Sequence, residues 1–355
     1  MKLSRKTKGS AHMTLKRISE LTVDEKSCLN TFIDGCNFST PFHRIEWLSI
    51  IEARFQKDVY YLFHYDDNRQ IDFAFPFLLK REGLYRDVLP FSYYELMYGG
   101  PLFCTGDQHT KINISTAIEN HIEGVKSISM TLPPKFPIDH CAASCFVKYC
   151  DTPLIDLRPD GEAIWKAFPY KNVRCNINKA YKNNVTIEVN NISHLKMFHT
   201  YHAELLKSVN KHILPLQYFM DVAQLPCIHV MSAMHNSYPI AVAILATHRD
   251  TVFYWHNASS IEYRNYRPND LLVWEIIKWA KEHHYRYFDF IMFNINELPG
   301  VTRFKLKFGG EIHPIYQYLR HYRLKNIHHK INKYLYYISH PRRALSRIRH
   351  SAFKS

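Results

Sequence analysis

The sequence predicts an α/β protein made of two halves of similar size, and three observations carry that prediction. Residues 264–318 read as a buried helix, an aromatic strand, a turn and a closing strand. Residues 227–256 read as three consecutive strands, the first two joined by the turn His235-Asn236-Ser237-Tyr238-Pro239. Residues 22–132 supply two helices, a second hairpin, a further helix and a strand. Helices and strands mixed within both halves are the pattern of layered α/β folds, although no sequence repeat accompanies the repeat of architecture.

Taken in order, residues 14–20 form a first strand or its lead-in. A helix is expected at 22–33 and another at 42–55, opened by Pro41, whose fixed φ suits a first helical turn. Segments 59–65 and 71–80 alternate as strands around Asp66-Asp67-Asn68-Arg69-Gln70. Residues 81–101 are aromatic and turn-rich, 108–121 helical, and 126–132 a strand that stops at Pro133-Pro134. A strand over 146–157 crosses into the second half. Asp160 caps a short helix ending at Phe168, a basic helix follows over 171–183, and 185–189 is a strand. Helices at 193–209 and 216–224 precede the strands 227–234, 240–247 and 252–256.

The 264–318 stretch organises the rest. Pro268-Asn269-Asp270 starts its helix, with the Asn and Asp side chains expected to satisfy the free amides of the first turn. Leu271, Leu272, Val273, Trp274, Ile276, Ile277, Trp279 and Ala280 cover most of the circumference of helix 271–282, which is therefore expected to be buried on more than one side. Residues 286–292 alternate as a strand. After a turn at Pro299-Gly300, the alternation of Arg303, Lys305 and Lys307 puts these three on one face of an extended segment, followed by Gly309-Gly310 and a strand at 312–319.

Pro268-Asn269, Leu271-Leu272, Trp274-Glu275, Trp279-Ala280, Phe288-Asp289-Phe290, Phe304-Lys305 and Phe308-Gly309-Gly310, in this order and spacing, resemble the C-terminal half of a GNAT-type acyltransferase domain. More narrowly they resemble the Fem family, the FemABX-like proteins that form peptidoglycan bridges and their relatives. The basic helix with Asn176-Ile177-Asn178-Lys179-Ala180 and the strand after it resemble the start of that family's second acyltransferase domain. Phe42 to Trp47 resembles its N-terminal helix. The resemblance implies tandem GNAT-like domains with mixed central sheets: a leader at 1–12, an N-terminal domain at 13–150, a C-terminal acyltransferase domain at 151–320 and a basic helical tail at 321–355. It implies an acyltransferase acting in cell-wall biogenesis or on a small molecule. Such an enzyme moves an acyl or aminoacyl group onto an amine, with no permanently bound cofactor. The donor is aminoacyl-tRNA, acyl-coenzyme A or acyl carrier protein. The family's tRNA-dependent members often carry a coiled-coil insertion, and no heptad-patterned insertion is visible here. A tandem GNAT module that only binds a partner or a membrane is the alternative of another class, against which the retained Phe304-Lys305 pair speaks.

Composition sets limits on these readings. The chain of 355 residues is long enough for two domains with real cores. No apolar run approaches the roughly 20 residues that span a bilayer, and no apolar segment follows Lys2, Arg5, Lys6 and Lys8 as it would in a secretory signal. The formal net charge of +14 is concentrated at the ends. Residues 1–19 and 312–355 hold bases and no acid, and the middle is near neutral. That argues against a general nucleic-acid-binding domain and favours tails that touch an anionic surface, a membrane leaflet or RNA. The expected location is the cytoplasm, peripheral to the inner face of the membrane. The eight cysteines are expected as reduced thiols, and no metal site is expected from Cys141, Cys145 and Cys150, which lack paired spacing.

Acyl transfer to an amine needs a positioned amine, an activated acyl group and donors for the developing oxyanion. In GNAT proteins a splayed strand and a glycine-rich loop serve the last two needs. Here the strand is 252–257, and the loop 263–269 has no glycine, so acetyl-coenzyme A is expected to bind weakly or not at all. Arg264 and Arg267 have the chemistry to hold a donor phosphate, or are surface arginines. By resemblance, Lys305 stabilises charge at the reacting end of the donor, with Phe304 and Asn269 on the donor side. The alternative for Lys305 is a solvated lysine. Asp289 is a general base or a strand-end structural carboxylate. Arg174, Lys179 and Arg44 are acceptor-side candidates by the same resemblance, with a solvated surface as the alternative.

Overall fold

The computed structural model describes residues 13–89, 97–103, 114–138, 145–292 and 299–322. The chain opens with β1 (Met13–Arg17), α1 (Val23–Gly35) and α2 (Ile45–Phe55). Thr22 starts α1 through a reciprocal cap: its hydroxyl accepts from the Glu25 amide, and the Glu25 carboxylate accepts from the Thr22 amide. Strands β2 (Asp58–Tyr65) and β3 (Ile71–Glu82) form the expected hairpin, in which the Asp66 carboxylate accepts from the Asn68 and Gln70 amides. Next come β4 (Tyr85–Leu89), β5 (Leu102–Phe103), α3 (Ile114–Glu119), β6 (Val125–Thr131) and β7 (Phe146–Asp156). Asp160 caps α4 (Gly161–Ala167) by accepting from the Ala163 amide at 2.7 Å. A single π turn, Tyr170–Arg174, leads into α5 (Cys175–Lys182) and β8 (Thr186–Val189). The second half continues with α6 (Leu195–Ser208), α7 (Leu216–Val222), β9 (Ile228–His235), β10 (Tyr238–His248) and β11 (Thr251–Ser259). It closes with α8 (Pro268–Glu282), β12 (Tyr287–Asp289), α9 (Pro299–Leu306) and β13 (Glu311–His321).

The strands form one mixed sheet in the order β1-β2-β3-β4-β6-β13-β7-β12-β11-β10-β9-β8, with β5 on β3. The last strand joins the halves: β13 lies antiparallel between β6 and β7. The apolar runs of β10 and β11 are buried on both faces, which explains why they read as continuous rather than alternating. Val242, Ile244, Ala246, Phe253 and Trp255 face a core shared with α1, α2, α6 and α7. Ala241, Ala243, Leu245, Val252 and Tyr254 face α4, α5 and α8. The first core ties the two halves together, with Trp47 Nε1 donating to the Tyr218 hydroxyl at 3.1 Å and the Trp47 and Trp255 rings 4.7 Å apart.

The structure corrects three expectations in the organising stretch. Residues 303–306 are helix α9, not an extended segment, and Pro299 and Gly300 begin that helix instead of forming a turn. The strand expected over 286–292 is limited to Tyr287–Asp289, because the chain turns at Ile291 in the left-handed region, φ 60°. Asn269 and Asp270 do not cap α8. The residue before the helix is Arg267, at φ 59° and without a side-chain cap, and the Asn269 and Asp270 side chains bond elsewhere. Smaller shifts are that helix 42–55 begins as a short 3-10 turn, Pro41–His43, and that 171–183 begins as the π turn. The leader and the tail beyond Tyr322, with its apolar stripe Ile327, Ile331 and Leu335, lie outside the described residues.

Candidate active site

Two neighbouring strands part to make the site. β11 and β12 run parallel and pair only at Thr251–Tyr287, Val252–Phe288 and Phe253–Asp289. Beyond Phe253, β11 continues to Ser259 paired, among the described residues, with β10 only, while β12 ends and the chain turns away at Ile291. An irregularity in β10 between Ile244 and Ala246 accompanies the divergence. The resulting cleft has a volume of about 700 Å3. Residues 254–258 of β11 form one wall, the start of α8 another, and α9 a third. The Phe308-Gly309-Gly310 sequence lets the chain leave α9 and enter β13 beneath this wall. Gly310 sits at φ 93°, and a Cβ there would stand 2.9 Å from the Leu154 carbonyl oxygen, so only glycine fits.

Lys305 projects from α9 into the gap between the parted strands. Its Nζ donates to the carbonyl oxygens of Ile291 at 2.9 Å and Met292 at 3.1 Å. Burial pushes its pKa down to about 8, against the opposing pull of Asp289 and, more weakly, Cys150. Asp289 itself is fully buried and does not line the cleft. One of its oxygens accepts from Thr152 Oγ1 at 2.5 Å, the Ile291 amide at 2.7 Å and the Tyr98 hydroxyl at 3.4 Å. Burial raises its carboxyl pKa, and these hydrogen bonds and Lys305 act in the opposite direction.

Of the other candidates, Arg264, Arg267, Asn269 and Phe304 line the same cleft. Arg264 and Arg267 are exposed at the amino end of α8, where helix polarity favours an anion. Asn269 Nδ2 donates to Ser259 Oγ at 2.8 Å, tying the helix start to the end of β11. Phe304 packs edge-on to Phe308, with centroids 5.3 Å apart. Lys307 also reaches the cleft, but its ammonium is bonded to the buried Asp270 carboxylate. The three acceptor-side candidates do not line the cleft. Arg174 donates to the Phe168 carbonyl at 2.9 Å and lies over the Tyr170 ring, and Lys179 is exposed on α5. Arg44 borders a separate cavity of about 370 Å3, bonded to Asp34 at 2.6 Å and Glu46 at 3.3 Å.

The cleft contains groups that the sequence reading did not single out. The hydroxyls of Tyr254 and Thr302 and the Asn269 Oδ1 are buried without a hydrogen-bond partner among the described residues, which marks them as atoms a ligand can satisfy. His202 and His256 also line it, with ring centroids 5.2 Å apart. Burial drives both imidazoles down, His202 to about 4 and His256 well below the usual range, so both are neutral at neutral pH. Tyr254 and His256 fell within the strand expected to splay. Nothing in the local sequence around His202 or Thr302 points to the cleft, because α6 and α9 meet β11 only through tertiary packing.

Residues 193–306 match the acetyltransferase (GNAT) domain family. Among curated proteins none matches the chain. Among solved structures, FemX is similar with a TM-score of 0.67 at 12% identity, over 90% of this chain and 99% of that one. The C-terminal domain of a protein assigned as a lysylphosphatidylglycerol synthetase from Agrobacterium fabrum aligns with a TM-score of 0.54 at 14% identity, over 86% of this chain and 94% of that one. A tandem GNAT protein from the clavulanic acid biosynthesis pathway aligns at 0.50 and 10% identity, over 87% and 98% of the two chains. The fold is thus that of tandem GNAT proteins, and the GNAT-type, Fem-like resemblance of the sequence is borne out at that level. No described helix is long and apolar enough to cross a membrane.

Proposed function

We propose that this protein is a Fem-like acyltransferase that moves an acyl or aminoacyl group from a phosphate-bearing carrier onto the amine of a cell-envelope or small-molecule acceptor. The observation that carries the reading is the Lys305 ammonium, held by two carbonyls in the gap where β11 and β12 part. The bond that forms is between the acceptor nitrogen and the acyl carbon. The bond that breaks joins that carbon to the carrier's oxygen or sulfur, which leaves as the hydroxyl or thiol by taking up the proton that the amine gives up. Negative charge gathers on the acyl oxygen in between. An ammonium with two of its three hydrogens already engaged, and a strand edge that no described residue pairs beyond Phe253, are fixed donors of the kind that stabilise such charge strongly in a dry site.

Arg264, Arg267 and the amino end of α8 form the carrier side of the cleft in this reading, because guanidinium groups and helix amides suit phosphate. Aminoacyl-tRNA is the carrier favoured by the Fem-like features. A second reading, with acyl-coenzyme A or acyl carrier protein as donor, gains support from Arg267. This residue adopts at φ 59° the left-handed turn that a glycine usually supplies before a phosphate-binding helix. The protein would act in the cytoplasm at the inner face of the membrane, with the basic residues after Tyr322 against anionic lipid. The reading is tested by mass spectrometry of ligands that co-purify with the protein, followed by transfer assays with charged tRNA, acyl-coenzyme A and acyl carrier protein. Formation of an amide on an added amine with any of the three supports it. Carrier binding without transfer from all three overturns it in favour of a binding module.

A further inference from the structure

Asp289 and Lys305 meet on opposite sides of one strained turn. Ile291 is fully buried and left-handed at φ 60°, a conformation that is a genuine outlier for a β-branched residue. Its amide donates to Asp289 Oδ1 at 2.7 Å, and its carbonyl accepts from Lys305 Nζ at 2.9 Å. The same Asp289 oxygen is fixed from β7 by Thr152 Oγ1 at 2.5 Å and, more loosely, by the Tyr98 hydroxyl at 3.4 Å. A conformation this unfavourable persists only where its surroundings hold it, and here the holding groups are the carboxylate on one side and the ammonium on the other.

We infer that Asp289 is a positioning residue, which holds the Ile291 turn so that its carbonyl anchors the Lys305 ammonium and supplies the buried negative charge that keeps that ammonium protonated. The inference rests on the role proposed for Lys305 above and deepens it. It assigns no proton transfer to Asp289, whose carboxylate does not line the cleft. Among the described residues, the titratable groups facing Lys305 are Asp289 from β12, Cys150 from β7 and His256 from β11. Burial pushes the Cys150 thiol up to about 12 and His256 well down, so both are uncharged at neutral pH, which leaves Asp289 as the one of the three able to supply a counter-charge.

The test measures the titration of Lys305 itself, without substrate. The full chain is labelled with trace acetic anhydride across a pH series, and peptide mass spectrometry compares Lys305 with the exposed Lys179. The parent Lys305 is expected to titrate near pH 8. Asp289→Asn is expected to lower that midpoint by about one unit or more, the effect of removing an opposite charge at close range, and a one-unit fall raises the reactive fraction at pH 7 roughly fivefold. Thr152→Val keeps the carboxylate but removes its short hydrogen bond, and shifts Lys305 in the same direction by less. A natively folded Asp289→Asn with an unchanged Lys305 midpoint overturns the inference. If Asp289→Asn does not fold, an unchanged midpoint in Thr152→Val does so instead. Shifted midpoints with no acyl transfer from any carrier would leave this inference standing and remove the proposed function. Acyl transfer with unmoved midpoints would do the reverse.

Discussion

The Lys307 ammonium is bonded to the Asp270 carboxylate within the cleft wall, and that carboxylate side chain is only 6% exposed. Asn176 Nδ2 gives the same oxygen a second bond at 3.2 Å, and the ammonium lies 4.5 Å from the centre of the Phe304 ring. Lys307 is therefore not a solvated neighbour of Lys305, and its removal tests the fold as well as charge.

Lys307→Ala leaves Asp270 as a buried charge without its partner, a change expected to cost about 3 kcal/mol or more. Urea unfolding reads this directly. A variant within about 0.5 kcal/mol of the parent, the usual range for a surface substitution, would show that the pair is not buried in the way described.

Gly310→Ala is expected to cost about 1–3 kcal/mol, because a side chain there is strained at φ 93° and meets the Leu154 carbonyl at 2.9 Å. Gly309→Ala, at φ 76° with no atom within 4 Å of the added carbon, pays the backbone cost without the clash and should lose less. Equal losses in paired urea curves would mean that the close approach to β7 does not matter.

Much of this site was legible in the sequence, and the failures have physical causes. The all-round apolar pattern of 271–282 and the Phe288-Asp289-Phe290 segment predicted a buried helix beside a strand, and both are there. Gly309-Gly310 carried the resemblance, but the close passage of Gly310 against the Leu154 carbonyl appears only in the fold. The strand reading of 303–307 followed an alternation of charges, but Val301, Phe304 and Phe308 recur at spacings of three and four, which is the helical signal. Asn269 and Asp270 carried the composition of a helix cap, yet tertiary bonds to Ser259 and Lys307 took their side chains. The Thr152–Asp289–Ile291 arrangement joins groups far apart in sequence, and no local pattern announces it.

The pH dependence of Lys305 has a defined sign. Its folded pKa of about 8 lies below its ordinary 10.5, so the unfolded chain holds the proton more tightly. This group's contribution to stability therefore rises between about pH 8 and 10.5, while the ammonium is lost to function over the same window. The parent pH–rate profile should show an alkaline limb beginning near pH 8. Lys305→Arg, which stays charged, should lack that limb in whatever activity it retains. The same limb in both proteins would assign it to another group.

The basic residues from Arg323 onward are expected to bind anionic vesicles, each contributing about 1 kcal/mol near the surface and less as salt rises. The truncation that tests this must fall after Tyr322, since Arg320 and His321 still pair with Ile128 and Ser127 in the sheet. Sedimentation with vesicles containing phosphatidylglycerol should show binding by the full chain and its loss on truncation. Unchanged binding would place the lipid contact elsewhere.

Lys305 is the side chain whose removal is expected to matter most. Its turnover is compared with that of Lys305→Ala in the transfer assay that identifies the donor, with thermal unfolding run on the same samples. Lys305→Ala is expected to lower kcat by a factor on the order of a hundred or more, the scale of losing a preorganised oxyanion donor, at temperatures where the variant is still folded, its Tm falling because Asp289 loses its counter-charge and the Ile291 turn one of its anchors. A variant that keeps kcat within about threefold of the parent, or that loses activity only in step with its stability, would contradict the role given to this lysine.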